Sequence, residues 1–199
     1  MKKYQVTWGW NPPQYDMPNG NFRLFYSSEE VTREVSHEDH ETGEVRSETI
    51  TEWLCDVVEY DKSEAAEILR LLKEDENSLE CAKWLLKAKI EAYDTSRHVE
   101  DFSINGIHLW LKKDERTGLL LRFQAEKAIG KTETVLWHEG MKFPLDIDMG
   151  IQMLYALEVY ASETYDHTAM HNSEADNLST KEDYDSYDYK QGYPEKLAF

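Results

Sequence analysis

Glu163, His167, His171 and Glu174 follow one another at positions i, i+4, i+8 and i+11. On a helix those steps bring the four onto one side, and two imidazoles a turn apart can grip a divalent cation. The pattern lacks the His-Glu-x-x-His order of a hydrolytic zinc helix, has no cysteine beside it and sits among polar neighbours. A solvated helix face explains it with fewer assumptions, so neither a metal nor another cofactor is expected. A second set of possible ligands, His37, Glu38, Asp39 and His40, stands at the approach to a hairpin tip, where a solvent-exposed turn is the simpler reading. Asp146 and Asp148 form a carboxylate pair suited to acid/base work or Mg²⁺, yet they also open a helix, where aspartate caps the exposed N–H groups.

The six tryptophans, Trp8, Trp10, Trp53, Trp84, Trp110 and Trp137, could build a sugar platform or a protein interface. Most lie in alternating or helical registers that assign them to a core. Trp10, beside prolines, and Trp110, opposite in parity to Ile107, Leu109 and Leu111, are the two expected at the surface and are the interface candidates. Phosphate loops, nucleophile elbows, Cys-x-x-Cys pairs and dinucleotide fingerprints do not occur, so no catalytic residue is assigned and a non-enzymatic role is expected.

Composition sets the frame for those side chains. With 22 Lys+Arg against 40 Asp+Glu, the 199-residue chain carries a formal charge of −18. Its basic residues form no stripe, which argues against nucleic acid as a partner. No apolar run approaches a membrane span, and the start carries no apolar signal core, so cytoplasmic synthesis without a membrane partner is expected. Cys55 and Cys81, each with apolar neighbours, are expected as buried free thiols.

The elements that must position these groups read as an α+β protein. Residues 1–60 form a small antiparallel sheet: Tyr4, Val6, Trp8 and Trp10 share one parity of a first strand, a short strand covers Phe22 to Tyr26, and a long hairpin runs from Val31 to Tyr60 with its tip at His40–Glu44. Residues 61–96 form a helical connector, one helix capped by Ser63 with the stripe Ala65, Ile68, Leu69 and Leu72. A second is capped by Asn77 and has the stripe Leu79, Ala82, Leu86, Ile90 and Tyr93. Residues 97–178 alternate hairpins with helices. Asn105-Gly106 demands a two-residue type I′ turn, Asp114 caps a helix ending at Gly130, and a hairpin turns near Glu139-Gly140. A last long helix then carries Ile151, Leu154, Leu157, Ala161, Tyr165 and Thr168. Residues 179–199 form a polar, tyrosine-rich extension whose Tyr193, Pro194, Leu197 and Phe199 give it something to dock with.

Several short motifs in the second half occur in one consistent order. They are Ala92-Tyr93-Asp94-Thr95-Ser96, Phe102-Ser103-Ile104-Asn105-Gly106, Leu109-Trp110-Leu111 with Arg116, and Gly130-Lys131-Thr132-Glu133-Thr134. Leu136-Trp137, Met153-Leu154, Ala156-Leu157-Glu158 with Tyr160-Ala161, and Gly192-Tyr193-Pro194-Glu195-Lys196-Leu197 complete the series. Through them the stretch from Lys89 to Phe199 resembles a domain-of-unknown-function family that recurs in phage tail and tail-fibre gene neighbourhoods and in prophages of gut bacteria. Residues 1–88 resemble N-terminal parts found beside that domain. The resemblance implies a tail-associated structural or assembly protein, a fibre accessory or adaptor that is built into a virion. Its partners would be other tail or fibre proteins or further copies of itself. The family has no established catalytic residues to carry over. A carbohydrate- or receptor-binding module is the alternative, and a metal-dependent enzyme using the helix histidines a third.

Overall fold

The computed structural model describes residues 1–38 and 45–199, so the expected hairpin tip at His40–Glu44 lies outside the described residues, as do Asp39 and His40 of the second ligand set. The protein is α+β and divides into two compact units, one of Met1–Tyr93 with Ala175–Tyr189, the other of Asp94–Glu174 with Lys190–Phe199.

The first unit is built on a four-stranded antiparallel sheet of order β1-β4-β3-β2, with β1 Lys2–Trp8, β2 Tyr15–Asp16, β3 Phe22–Glu38 and β4 Val45–Tyr60. What the sequence suggests as a short strand followed by a separate hairpin is one strand, β3. Its ladder passes from Phe25↔Val57 to Ser27↔Asp56, so Tyr26 is the extra residue of a β-bulge. A bulge bends a strand without ending it, and it shifts the alternation that marks a strand in sequence. Phe22, Leu24, Tyr26 and Val58 on one face pack against α1 (Ala66–Asp75) and α2 (Leu79–Asp94) through Ile68, Leu71, Cys81 and Leu85. Phe22 also meets Trp84 edge to face at 5.8 Å. Phe25, Cys55 and Val57 form a smaller cluster on the other face with Tyr4, Val6, Trp8 and Trp53.

Both helix starts differ from the sequence reading. Asp61, not Ser63, receives the backbone N–H groups of Ser63 and Glu64 at 2.8 and 2.9 Å, and α1 begins only at Ala66. Ser78, not Asn77, accepts from Cys81 N at 3.1 Å. Asp61 thus fixes the turn that leads into α1, whereas Ser78, directly before Leu79, takes an orphan donor of α2 itself. The stripe of α2 is also wider than expected. Leu79 is exposed, while Cys81, Leu85, Ala88 and Ala92 bury toward the sheet and Ala82, Leu86 and Ile90 bury toward a further cluster with Ala175, Tyr184 and Tyr189. A helix covered on two sides needs small residues between its large ones, which Ala82, Ala88 and Ala92 provide.

That further cluster explains the tyrosine-rich segment. Thr180 caps α5 (Lys181–Ser186) by accepting from Asp183 N at 3.1 Å, and the turn so fixed buries Tyr184. Tyr189 then donates its hydroxyl to the carbonyl of Tyr26, the bulge residue. Burial pushes the hydroxyl of Tyr189 well above the ordinary tyrosine range, and burial followed by the nearby Glu91 and Glu64 charges pushes Tyr60 up to about 12. An acid whose folded pKa is raised binds its proton more tightly when folded. Its stabilisation is therefore complete below the unfolded tyrosine value, about 10, and is lost as pH rises through the folded value. Unfolding free energy in urea is expected to fall between about pH 10 and pH 12. Tyr60→Phe should flatten that decline, and an equal slope in the variant would refute the assignment. Cys55 and Cys81 are buried free thiols, with burial raising both above the usual thiol range.

In the second unit the turns fall where the sequence requires them. Asn105 and Gly106 take φ of 51° and 78° between β5 (Phe102–Ile104) and β6 (Ile107–Leu109), and Glu139 and Gly140 take 49° and 81° between β7 (Glu133–His138) and β8 (Met141–Asp146). Helix α3 (Lys113–Ala128) starts earlier than Asp114 suggests. Its first-turn Glu115 accepts from Lys112 N at 2.8 Å, so Asp114 sits inside the helix. Helix α4 (Ile147–Asn177) is capped by Asp146, which accepts from Met149 N at 3.0 Å. Phe102, Leu111, Phe123, Leu136, Ile147, Leu154 and Leu157 form the core. Along α4 the buried line runs through Ile151, Leu154, Leu157, Tyr160, Thr164 and His171, while Tyr165 is 71% exposed, contrary to the stripe expected from sequence. A 3.6-residue repeat satisfies 160-164-168-171 as well as 161-165-168, and only the packing decides between them.

The chain end closes this unit. Ser103 N donates to Leu197 O at 3.0 Å, Phe199 N to Ser103 O at 2.9 Å and Asn105 N to Phe199 O at 2.8 Å, so the last residues run parallel to β5. Among the described residues, no helix is long and apolar enough to cross a membrane.

Candidate binding groove

The four residues of the candidate metal face part company in the structure. Glu163 and Glu174 are exposed, His167 is half-buried and His171 is fully buried. A step of four residues rotates about 40° around the helix, so moving from 163 through 167 to 171 turns through roughly 80° and passes from solvent into the core. The solvated-face reading therefore fails for His171, whose Nε2–H donates to Gln191 O at 3.0 Å. Its ring lies 5.6 Å from that of Tyr193. His167 packs 6.1 Å from the same ring, and a Cβ on Gly192, where φ is +85°, would stand 3.0 Å from His167 Nδ1. Thr168 donates to Asp94 Oδ1 at 2.6 Å, which leaves its oxygen to accept from the Tyr193 hydroxyl at 2.9 Å. These histidines and Tyr193 thus anchor the chain end. No group of three or more metal-ligating residues is found among the described residues. Asp146 and Asp148 also serve separately, Asp146 as the α4 cap and Asp148 as partner of Lys127 at 2.5 Å.

The two interface candidates divide. Trp10 is 68% exposed beyond the end of β1, edge to face with Trp8 at 5.6 Å. Trp110 is half-buried against the core instead of exposed, 6.5 Å from Phe102 and 6.1 Å from Tyr160, with the Arg116 guanidinium 5.5 Å from its ring centroid. Strand β6 ends at Leu109, so the parity that placed Trp110 outward no longer applies there. Trp137, assigned to a core by its register, is 61% exposed. It shares parity with Val135, whereas Leu136 fills the core side of the hairpin; the alternation was legible, and which face is covered was not.

Trp110 and Trp137 line one open groove of about 680 Å³. Its parts come from the β5–β6 hairpin, the start of α3 and the β7 end of the second hairpin. Asp101, nearly buried, anchors the wall: its Oδ2 lies 2.9 Å from His108 Nδ1 and 3.0 Å from Lys196 Nζ. Val99 O accepts the Tyr160 hydroxyl at 2.6 Å, which fixes the segment leading into Asp101. Around this frame stand Glu100 and Glu139 as acceptors and Arg97 and Lys112 as donors. A smaller cavity of about 250 Å³ that also touches Trp110 is lined by Glu100, Lys112, Arg116 and Tyr165. The result is a surface with an exposed indole, one rigidly backed indole and both signs of charge, suited to binding. The signal for it in sequence was the pair of Gly-containing turns beside Trp110 and Trp137. Comparison with known proteins finds no matching family model, no matching curated protein and no matching solved structure.

Proposed function

We propose that the chain is a non-enzymatic, tail-associated structural or assembly protein of a phage or prophage, a fibre accessory or adaptor that works through protein–protein contacts. One observation supports contact as its mode of action. Among the described residues, strand β1 pairs with β4 from Trp53 to Glu59 and β2 pairs with β3 at Arg23 and Leu24, so from Val31, opposite Glu52, β3 and β4 continue as a two-stranded ribbon. Such a ribbon is marginal alone in water and gains stability from a further strand or a packed surface. One of its faces carries half-buried Val31, Val35 and Ile50 beside an Arg33–Glu52 bridge of 2.7 Å. This is an amphipathic surface that a tail or fibre protein, or a second copy of the chain, can cover.

The positions of the titratable groups favour the same reading, because Asp94, Asp101, Asp146, Arg116 and His171 hold backbone or side chains in place. The test replaces Val31–Glu52 by Asn-Gly, which joins the directly paired Glu30 and Trp53. The shortened chain is expected to keep its unfolding midpoint while losing self-association in light scattering and copurification with tail proteins. Unchanged assembly after the replacement would refute the role of the ribbon. A native chain that stays monomeric and copurifies with no tail protein would refute the proposal itself.

A further inference from the structure

Positive charge is scarce in this chain, with 22 Lys+Arg against 40 Asp+Glu, yet one open cavity of the first unit gathers it without any acid in its lining. The connection between β2 and β3 supplies Met17 and Gly20 to this cavity, and α1 with the turn before it supplies the rest. Lys62, Ala66, Leu69 and Lys73 follow at i, i+4, i+7 and i+11, the spacing of a single helical face. The face reaches back to Lys62 because Ala65 N donates to Asp61 O at 3.0 Å and Leu69 N to Ala65 O at 2.9 Å, the bonding of a helix. Lys62 is seated by a glycine. Gly20 takes φ +83°, and a Cβ there would stand 2.7 Å from Lys62 Nζ, so the ammonium group rests where the connection has no side chain.

The lining selects the ligand. Arg70 holds Glu67 and Glu74, each at 2.6 Å, so its charge is met within α1. Lys62 and Lys73 pair with no carboxylate among the described residues, and they leave the cavity a net attraction for an anion. A bare inorganic anion would leave the apolar part of the lining uncovered, where Leu69 is half-buried and Met17 is 52% exposed. No aromatic ring lines the cavity, so a flat base or sugar finds nothing to stack on, whereas the flexible thioether of Met17 adapts to a flexible alkyl chain. The volume, about 540 Å³, falls within the ~300–1,000 Å³ of small-molecule sites. We infer that this cavity binds a short alkyl chain ending in a carboxylate or phosphate, its anion drawn by Lys62 and Lys73 and its chain lying against Met17 and Leu69. The inference goes beyond the assembly role and does not rest on the ribbon.

Calorimetric titration of the full chain with octanoate and octyl phosphate, both kept monomeric, tests it, with inorganic phosphate, octylammonium and neutral octyl glucoside alongside. Both anionic amphiphiles are expected to bind, more weakly as salt rises and more tightly by about threefold for each methylene buried between hexanoate and octanoate. Lys62→Gln combined with Lys73→Gln should weaken octanoate by about tenfold or more. Both lysines are exposed, so the double variant should keep the native unfolding midpoint, which separates a lost site from a lost fold. Met17→Ser should flatten the dependence on chain length and spare the dependence on salt. Replacing the ribbon should leave octanoate binding intact, and the lysine variant should leave assembly intact, so either role can fail alone. No binding of the anionic amphiphiles, equal binding of octyl glucoside, octylammonium or inorganic phosphate, or octanoate binding indifferent to the lysines would each overturn the inference. So would binding confined to phosphatidylglycerol vesicles, or a photocrosslinker at position 17 that joins the cavity to a tail protein.

Discussion

Removal of Gly192–Phe199 is expected to lower the stability of the second unit by about 3–6 kcal/mol, enough to unfold much of it, since whole domains are stable by only about 5–15 kcal/mol. Three backbone hydrogen bonds to Ser103 and Asn105 disappear, and with them the packing of Leu197 on the core. Tyr193 leaves Thr168 without the hydroxyl that donates to it and uncovers the fully buried His171. Asp101 loses Lys196, one of its two side-chain partners. The loss is larger than the sum for a surface tail because a buried polar ring and a strand edge are exposed together. Urea unfolding followed by tryptophan fluorescence and near-ultraviolet dichroism should show a separate, earlier transition. A truncated chain with the native midpoint would show that the chain end merely rests on the unit. Leu197→Ala alone should cost about 1–2 kcal/mol, since that side chain is only partly buried.

Phe123→Ala is expected to cost about 3–5 kcal/mol, the range for emptying a fully buried aromatic site. The ring fits against α4 where Gly150 leaves space: a Cβ built on Gly150 would stand 2.9 Å from Phe123 Cε2. Gly150→Ala in the native background therefore forces the ring aside and should destabilise by about 1–3 kcal/mol, despite the better helix propensity of alanine. In the Phe123→Ala background the same methyl enters the space the ring has left, and the sign should reverse or the cost vanish. Such non-additivity is the signature of direct contact. Additive costs in denaturant unfolding of the double variant would place Gly150 and Phe123 in separate environments.

Residue by residue, the local turns and periods were legible. Asn105-Gly106 fixes one hairpin because both residue types accept positive φ readily, Gly140 marks the second beside a Glu139 that also takes positive φ, and Gly130 ends α3 at φ 82°. The spacing of Ile151, Leu154 and Leu157 fixes the first turns of α4. Capping was less legible. Asp61, Ser78 and Glu115 do what Ser63, Asn77 and Asp114 were expected to do, because several polar residues stand near each helix start and the final turn chooses among them. Of the candidate site, Trp10 was read correctly at the surface, whereas Trp110 and Trp137 exchanged places.

What the sequence alone determined is therefore whatever depends on backbone conformation and on the period of apolar residues: the α+β class, the turns, and the existence and type of most helices and strands. Which face of an element is covered was settled only by tertiary structure. The bulge at Tyr26, the burial of His171, the second buried side of α2 and the exposure of Trp137 all belong to this class. Alternation names two faces without ranking them, and burial is a property of what packs against a face from far along the chain.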